Sequence, residues 1–524
     1  MLYKVPIWRE MNMNVENINR IKTVFLSTIV CGLLAHAYCY FNLFYSHDSS
    51  LLDQTRDVAW KYAIGRWCQP FYLKFRGYIY NPFLVGIFSL VFLACACFLI
   101  IEIFEIFDTI SIFLVCGVLA TNPVLTLVNA TYLHEVDMFM LSLLSSVAGV
   151  YVYKKFKMGF IPSSVLFAIS LGLYQAYIQT AILLFMFLLI KDLLDNINYL
   201  TAIKRGIGYV CSLVGGGILY LVGYKILILI KEITPSNNYN SIYGISEMSS
   251  TSELLSLICE TYMRFYYYFF HPANGHPGLI AWLTKLLFIY CIFALVYIVI
   301  KNKVCISNLI LIVLSFAFLP LGAYVSYPLS HGVTHELMIY SFFLFIVWAI
   351  YLRACRLYCI NRNVEKNVIK KRYSIDNIIV YGFCFVFILD SIIYASQVYT
   401  KKDIEYQKTY STLTRVIDRV EQTDGYIMGE TPVVFIGNLN DAYWVEQKAY
   451  FRYSEIGLGR MFAVGSWVTY NNFMNEVMEY PINLLNENVS LEYEDDIRVK
   501  QMGVFPDKDS CIVIDGKVIV KLSE

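Results

Sequence analysis

Charge is what this 524-residue sequence has least of: 15% of its residues are Asp, Glu, Lys or Arg, against 58% hydrophobic and 16% aromatic. A soluble domain ordinarily carries about 25% charged residues, so this scarcity excludes a soluble globular chain. Short chemical signatures are missing as well. The 14 cysteines contain no CxxC pair and no Cys/His spacing of a metal site. There is no Walker loop, no dinucleotide fingerprint and no nucleophile elbow, which argues against a cytoplasmic enzyme using nucleotide sugars. No internal repeat or low-complexity tract is visible. No small-residue cleavage site follows the first apolar segment, which is longer than a signal-peptide core and reads as an uncleaved span.

What is present is a series of apolar runs. Segments such as Phe83–Ile101 and Leu279–Ile300 reach the roughly 20 residues needed to cross a bilayer core. By run length about eleven spans are expected, at 21–45, 83–101, 109–128, 136–153, 159–174, 175–191, 206–230, 279–300, 305–325, 337–352 and 375–396. Lys154, Lys155 and Lys157, then Lys204 and Arg205, Lys301 and Lys303, and Arg353 through Arg372 all fall on the side of the N-terminus. The positive-inside rule makes that side cytoplasmic. The expected division is a cytoplasmic segment 1–20, a transmembrane part 21–396 with outer loops 46–82 and 231–277, and an outer tail 397–524. Cys68, Cys259 and Cys511 would lie outside, and a disulfide among them stays open.

The tail is a different material. Ile404, Leu413, Val416, Ile417 and Val420 recur at helical spacing, Pro432–Gly437 reads as a buried strand, and Cys511–Lys521 reads as a hairpin turning at Asp515-Gly516. A small α/β domain is expected.

Polar residues gather at the outer loops. A loop that merely turns round needs about five residues, but Phe44–Pro82 is far longer and carries His47, Asp48, Asp53, Asp57, Arg66 and Trp67. Asp48 stands directly after the first span, and the planar, permanently charged Arg66 suits a phosphate. Asp53 and Asp57 can equally decorate an amphipathic helix with Arg56 and Lys61. A second group, His134, Glu135 and Asp137, opens the fourth span. An acid at the rim of hydrocarbon is expensive and marks function by default, although helix N-termini also favour acids. A metal site from these three is conceivable but lacks a second ligand cluster, so no cofactor is expected and a divalent metal stays open. Tyr174 and Gln175 form a polar break between two spans, either a site or a plain hairpin. Arg264, which binds a phosphate or snorkels, precedes the eighth span, and His331 and His335 lie ahead of the tenth.

Transfer of a sugar from a lipid carrier needs a carboxylate to deprotonate the acceptor, cations to hold the departing phosphate and aromatic faces for sugar and lipid. The first outer loop offers all three. The sequence resembles the serotype-converting O-antigen glucosyltransferase family (Gtr type II), within the GT-C class of integral-membrane transferases. The matching pieces are Asp48, Gly65-Arg66-Trp67, Tyr132–Asp137, Leu173-Tyr174-Gln175 and the tail helix followed by Pro432–Gly437. The resemblance implies a mainly α, polytopic GT-C fold in the bacterial inner membrane. It also implies an undecaprenyl-phosphate glucose donor or similar lipid-linked sugar, and a cell-surface polysaccharide acceptor. No nucleic acid partner is expected. In enzymes it resembles, an acid of the first outer loop is the base, which falls here on Asp48. The sequence departs from the pattern at His47-Asp48, where relatives carry paired acids, and at His335-Glu336, where an arginine is expected.

The proposed roles are Asp48 as general base and Asp137 as an orienting acid. Arg66, with Arg264, neutralises the lipid phosphate, while Trp67, His134, Glu135, Tyr174, Gln175, His331 and His335 contact substrate. The competing classes are a carrier or flippase of lipid-linked sugars and an O-antigen polymerase or ligase. A carrier would place ionisable residues near the midplane and show repeats, whereas here the polar groups collect on one side.

Overall fold

A computed structural model describes the backbone of residues 7–45, 52–236, 251–271, 278–361, 366–442 and 462–524, and their side chains except at 7–16, 251, 278, 360–361 and 366–374. The protein is mainly helical. Helix α1 (Ile7–Phe41) leads into a long loop carrying α2 (Val58–Ala63) and α3 (Gln69–Arg76). There follow α4 (Pro82–Phe104), α5 (Thr109–Thr121), α6 (Pro123–Tyr132), α7 (Val136–Lys155), α8 (Phe160–Leu173), α9 (Ile178–Leu194) and α10 (Tyr199–Lys231). Then come α11 (Thr251–Phe270), α12 (Gly278–Lys301), α13 (Ile306–Ala323), the single turn α14 (Ser326–Leu329), α15 (Leu344–Asn361) and α16 (Lys366–Glu421).

Among the described residues, nine helical stretches are long and apolar enough to cross a membrane. One of them, Thr109–Lys155, is 47 residues long, enough for two passes, and folds back on itself. Its far end returns to where it began, because Lys154 Nζ bonds Glu105 Oε1 at 2.9 Å, while its middle, at His134, meets the α3 residue Arg76. Counting that stretch twice and adding the shorter apolar helix Phe160–Leu173 gives the eleven passes expected from run length. Charged pairs close the end opposite the first loop: Glu105 with Lys154 and Lys191, Asp192 with Arg205, and Asp376 with Arg356.

Local sequence explains where the helices break. Pro123 has no N–H and disfavours a helical residue before it, so α5 ends at Asn122, whose side chain caps α6 by accepting from Leu125 N at 3.0 Å. At this depth freed carbonyls need partners inside the protein. Asn122 Nδ2 and the Tyr340 hydroxyl both donate to Leu119 O (2.8 and 2.7 Å), and His36 Nε2 donates to Ala120 O at 2.9 Å. Since a carbonyl only accepts, Nε2 carries the imidazole proton, and His36 Nδ1 accepts from the Tyr399 hydroxyl at 2.6 Å.

Sequence patterning places the last span at 375–396 and a separate helix beyond it. The structure joins them in one 56-residue helix, α16. Nothing interrupts it: the stretch contains no proline and a single glycine, Gly382. At 1.5 Å per residue it runs ~84 Å, far more than the ~30 Å of a bilayer core, so it projects well past the bundle.

Around that projection lies a four-stranded sheet in the order β2-β1-β4-β3. Its strands are β1 (Pro432–Ile436), β2 (Asn483–Leu484), β3 (Cys511–Ile514) and β4 (Lys517–Lys521). β1 is parallel to β2 and β4, and β3 is antiparallel to β4. The β3–β4 turn has Asp515 and Gly516 at φ of 50° and 74°, as a type I′ hairpin requires. Side chains alternate between faces. Val433, Phe435, Val518 and Val520 pack under Leu413, Val416 and Val420 of α16 and under α17 (Trp467–Asn472). Val434, Ile436 and Ile519 face α18 (Glu487–Glu494) and α19 (Ile497–Lys500). Cys68, Cys259 and Cys511 are free thiols.

Candidate functional site

The loop between α1 and α4 is clamped at its base. Tyr80 N bonds Leu52 O at 2.9 Å and Gln54 N bonds Tyr78 O at 3.0 Å, with Asp53 bridged to Ile79. From the other side Glu476, near the sheet, accepts from Leu52 N and Arg56 Nη1, both at 2.9 Å. Asp48 and His47 lie outside the described residues. Both neighbours of their stretch are anchored: Tyr45 packs edge-on against Phe473 with ring centroids 4.9 Å apart, and Leu52 is held as above.

Inside the loop, α2 ends at Gly65, where φ is +79° and a Cβ would come within 2.4 Å of the Tyr220 hydroxyl oxygen. Only glycine fits that turn. The carbonyls left over at the end of α2 are taken by α10 and by the break before α9. Tyr224 donates to Ala63 O (3.0 Å), Gln175 Nε2 to Ile64 O (3.1 Å) and Tyr220 to Gly65 O (3.2 Å). Trp67 stacks on Tyr220, and the Cys68 amide donates to Gly172 O at 2.8 Å. Burial pushes the Cys68 thiol up to about 12, so it is inert at neutral pH.

With the loop so placed, its cations meet the two acids at the α6–α7 turn. Glu135 Oε1 pairs with Lys61, which also holds Asp57 at 2.8 Å. Glu135 Oε2 accepts from Arg66 Nη1 at 2.9 Å and from Gln69 at 3.5 Å. The Arg66 guanidinium lies 4.9 Å from the Tyr174 ring and 5.7 Å from that of Phe139, and these two rings stack 4.2 Å apart. Asp137, fully buried, takes Arg76 Nη1 on both oxygens (2.9 and 3.0 Å), the Tyr72 hydroxyl at 2.9 Å and its neighbour's amide. Arg76 also bonds Gln54 and donates to His134 O at 3.1 Å. Burial, and then the Asp137 charge, raise the Tyr72 hydroxyl far above its usual range, so it stays a donor. Lys61, Arg66 and Arg76 therefore balance Asp57, Glu135 and Asp137 one for one.

The structure thus brings Arg66, Trp67, His134, Glu135, Asp137, Tyr174 and Gln175 into one region. Arg264, His331 and His335 form a second group on α11 and the 324–343 segment. Arg264 lies 4.8 Å over the Tyr327 ring, His331 Nδ1 is 3.6 Å from Glu253, and His335 is exposed in extended backbone. Among the described residues no set of three or more His, Cys, Asp or Glu side chains could hold a metal ion. Sequence reasoning passed over Lys61, Gln69 and Arg76 as ligands of the acids. Gln69, Tyr72 and Arg76 recur at three and four residues, one polar helical face, and that signal was there to find.

A second feature is an apolar cleft of about 640 Å³, lined by Phe265, Phe288, Leu295, Val313, Phe316 and Trp348 among others. It lies between α12 and α13, which pack on α11, α15, α16 and α9. The Thr109–Lys155 stretch is 89% buried inside the protein, but those of α10, α12 and α13 are only 17%, 22% and 28% buried. The cleft therefore opens on the lipid-facing side.

A family model described as Glucosyl transferase GtrII matches residues 37–387, more than half of the chain and all of the region just described up to α16. No curated protein and no solved structure matches.

Proposed function

The chain belongs to the glucosyl transferase GtrII family, and from that membership we propose that this glucosyltransferase takes its hexose, glucose, from a polyprenyl-phosphate carrier. The acceptor is a cell-surface glycan such as O-antigen, met on the outer face of the bacterial inner membrane by a GT-C enzyme. The observation that carries this reading is the loop of residues 52–81, held by buried ion pairs at one end of an apolar bundle and flanked by the stretch that holds Asp48. Asp48 accepts the acceptor's proton as that hydroxyl attacks the anomeric carbon. The sugar–phosphate bond breaks in the same step, the phosphate leaves on its lipid, and a single displacement inverts the anomeric centre. Arg66 is already engaged by Glu135, so the exposed Arg264 is the better counter-charge for the departing phosphate. Asp137 acts by fixing Arg76 and Tyr72 rather than by facing solvent.

The cleft supports a lipid-linked donor, because an apolar space open to hydrocarbon fills with a lipid chain. Replacing Leu295 with Trp should crowd it and raise KM for a long-chain polyprenyl-phosphate glucose about tenfold, while a short-chain analogue is spared. Equal KM for both donors in the variant and the parent would remove the cleft from the pathway.

The overall reading is tested by incubating membranes that contain the chain with radiolabelled polyprenyl-phosphate sugars, one at a time, and weighing the glycan. One added hexose per repeat unit is expected. A change in chain length would point to a polymerase instead, and no change of mass to a carrier.

A further inference from the structure

Helix α11 lies between two spans whose near ends share one side of the membrane. The last turns of α10 reach the 52–81 loop: the Tyr224 hydroxyl and the Ser236 amide both donate to Ala63 O, at 3.0 and 3.1 Å. α12 finishes at the opposite end, where Asn302 Nδ2 donates to Leu194 O at 3.0 Å beside the Lys191 and Asp192 ion pairs. Its 24 residues run ~36 Å, enough to cross the ~30 Å of hydrocarbon, so Gly278 lies at the loop end. The 20-residue α11 therefore connects two points on one membrane surface, and it is not among the nine stretches apolar enough to cross.

The helix has three edges. Leu257, Thr261 and Phe265, four residues apart, are buried against the bundle. Glu253, Glu260 and Arg264 share a second edge, where the Tyr327 hydroxyl donates to Glu260 Oε2 at 2.6 Å and the Tyr327 ring lies under the Arg264 guanidinium. Leu255, Cys259, Met263 and Tyr267, again four apart, form the third and are exposed, Met263 by 63% and Tyr267 by 54%. A helix with separate apolar and charged edges and both ends at one surface settles in the interface, its apolar side about 5–10 Å into the boundary between headgroups and chains. Trp282, near the start of α12, is exposed with Lys285 Nζ 4.6 Å from its ring, a pairing suited to the headgroup level. Through Phe270, whose ring meets that of Phe288 edge to face at 5.5 Å, the exposed edge runs on into the side of α12, a span only 22% buried. α11 also gives Phe265, Tyr266, Phe269 and Phe270 to the apolar cleft.

We propose that α11 is a membrane-surface helix whose edge of Leu255, Cys259, Met263 and Tyr267 is immersed in the lipid leaflet at the loop end, where the helix forms the lip of the cleft. Its edge of Glu253, Glu260 and Arg264 meets water. Lipid is the occupant of the exposed edge because that edge is continuous with the lipid-facing side of α12. The proposal depends on the chain crossing a membrane and stands whether or not the donor is a polyprenyl-phosphate sugar.

The test uses the full chain in lipid nanodiscs. The exposed cysteines are Cys211, Cys259 and Cys305, so Cys211→Ser with Cys305→Ser leaves Cys259 for a nitroxide label. A second protein adds Cys259→Ser and Glu253→Cys, which moves the label to the charged edge of the same helix. Collisions of the label with oxygen, which concentrates in hydrocarbon, are compared with collisions with an aqueous nickel complex. The oxygen-to-nickel ratio is expected to be about tenfold higher at 259 than at 253, as for sites that differ in immersion by about 5–10 Å. Equal ratios at the two sites overturn the proposal. So does a spectrum at 259 that is broadened by a neighbouring label and sharpens on dilution with unlabelled chain, because a second copy then covers the edge. The unaltered chain gives an independent reading by peptide mass, each rate taken relative to glutathione. Its Cys259 should react with a membrane-soluble maleimide about tenfold faster than with a charged one, and equal relative rates would place that edge in water.

Discussion

Asp48→Asn is expected to reduce hexose transfer by about 10²–10⁴-fold, the range typical for loss of a positioned general base, with the protein still reaching the membrane at normal levels. The amide is nearly isosteric but cannot take the acceptor's proton. Asp53→Asn is the matched control from the same loop: Asp53 is exposed and its carboxylate caps the next turn through Thr55 N at 2.9 Å. Its acidity is strengthened by that backbone hydrogen bond, a local structural role, so its loss should cost transfer little. The measurement is initial rate per quantity of protein in membranes. If Asp48→Asn and Asp48→Ala both work at near the parental rate, the base lies elsewhere, and Asp53 and Asp57 become the next candidates.

The second large effect is on stability. Glu135 is the shared partner of Lys61 and Arg66, with all three buried. Removing one member of a buried ion pair typically costs about 3–5 kcal/mol, mostly because the remaining charge is left unpaired. Glu135→Gln should therefore lower the melting temperature in detergent and open residues 52–81 to proteolysis, with transfer falling as the loop is released. A double-mutant cycle with Lys61→Met separates pairing from packing. The lysine substitution should do less harm in the Glu135→Gln background than in the parent, by about 0.5–3 kcal/mol. Additive losses would mean that the pair is incidental and the loop is held by its backbone clamps and by Tyr220, Tyr224 and Gln175.

These two experiments separate what was readable from what was not. Span number was readable because crossing a bilayer demands length and apolarity, both one-dimensional properties; the strand at Pro432 and the hairpin at Asp515-Gly516 were readable because turn chemistry is local. The sequence separates a span at 375–396 from a further helix beyond it, and the structure runs one helix, α16, through both, because a helix stops only where its backbone is interrupted. His134, Glu135 and Asp137 were singled out from their position at a membrane rim, but their partners were not. Lys61 and Glu135 are separated by 74 positions and Arg76 and Asp137 by 61.

By itself, then, the amino-acid order settled that this is a polytopic helical membrane chain with a small sheet near its end, and it pointed to the loop where the polar residues collect. Tertiary structure alone decided which cations sit on which acids, that Gln175 caps a helix end, and that Tyr220 and Tyr224 take the carbonyls beside it. The reason is physical. Apolarity and turn preference act between near neighbours, whereas a buried charge is settled by whichever opposite charge the fold carries to within about 3 Å, and no spacing in the sequence encodes that distance.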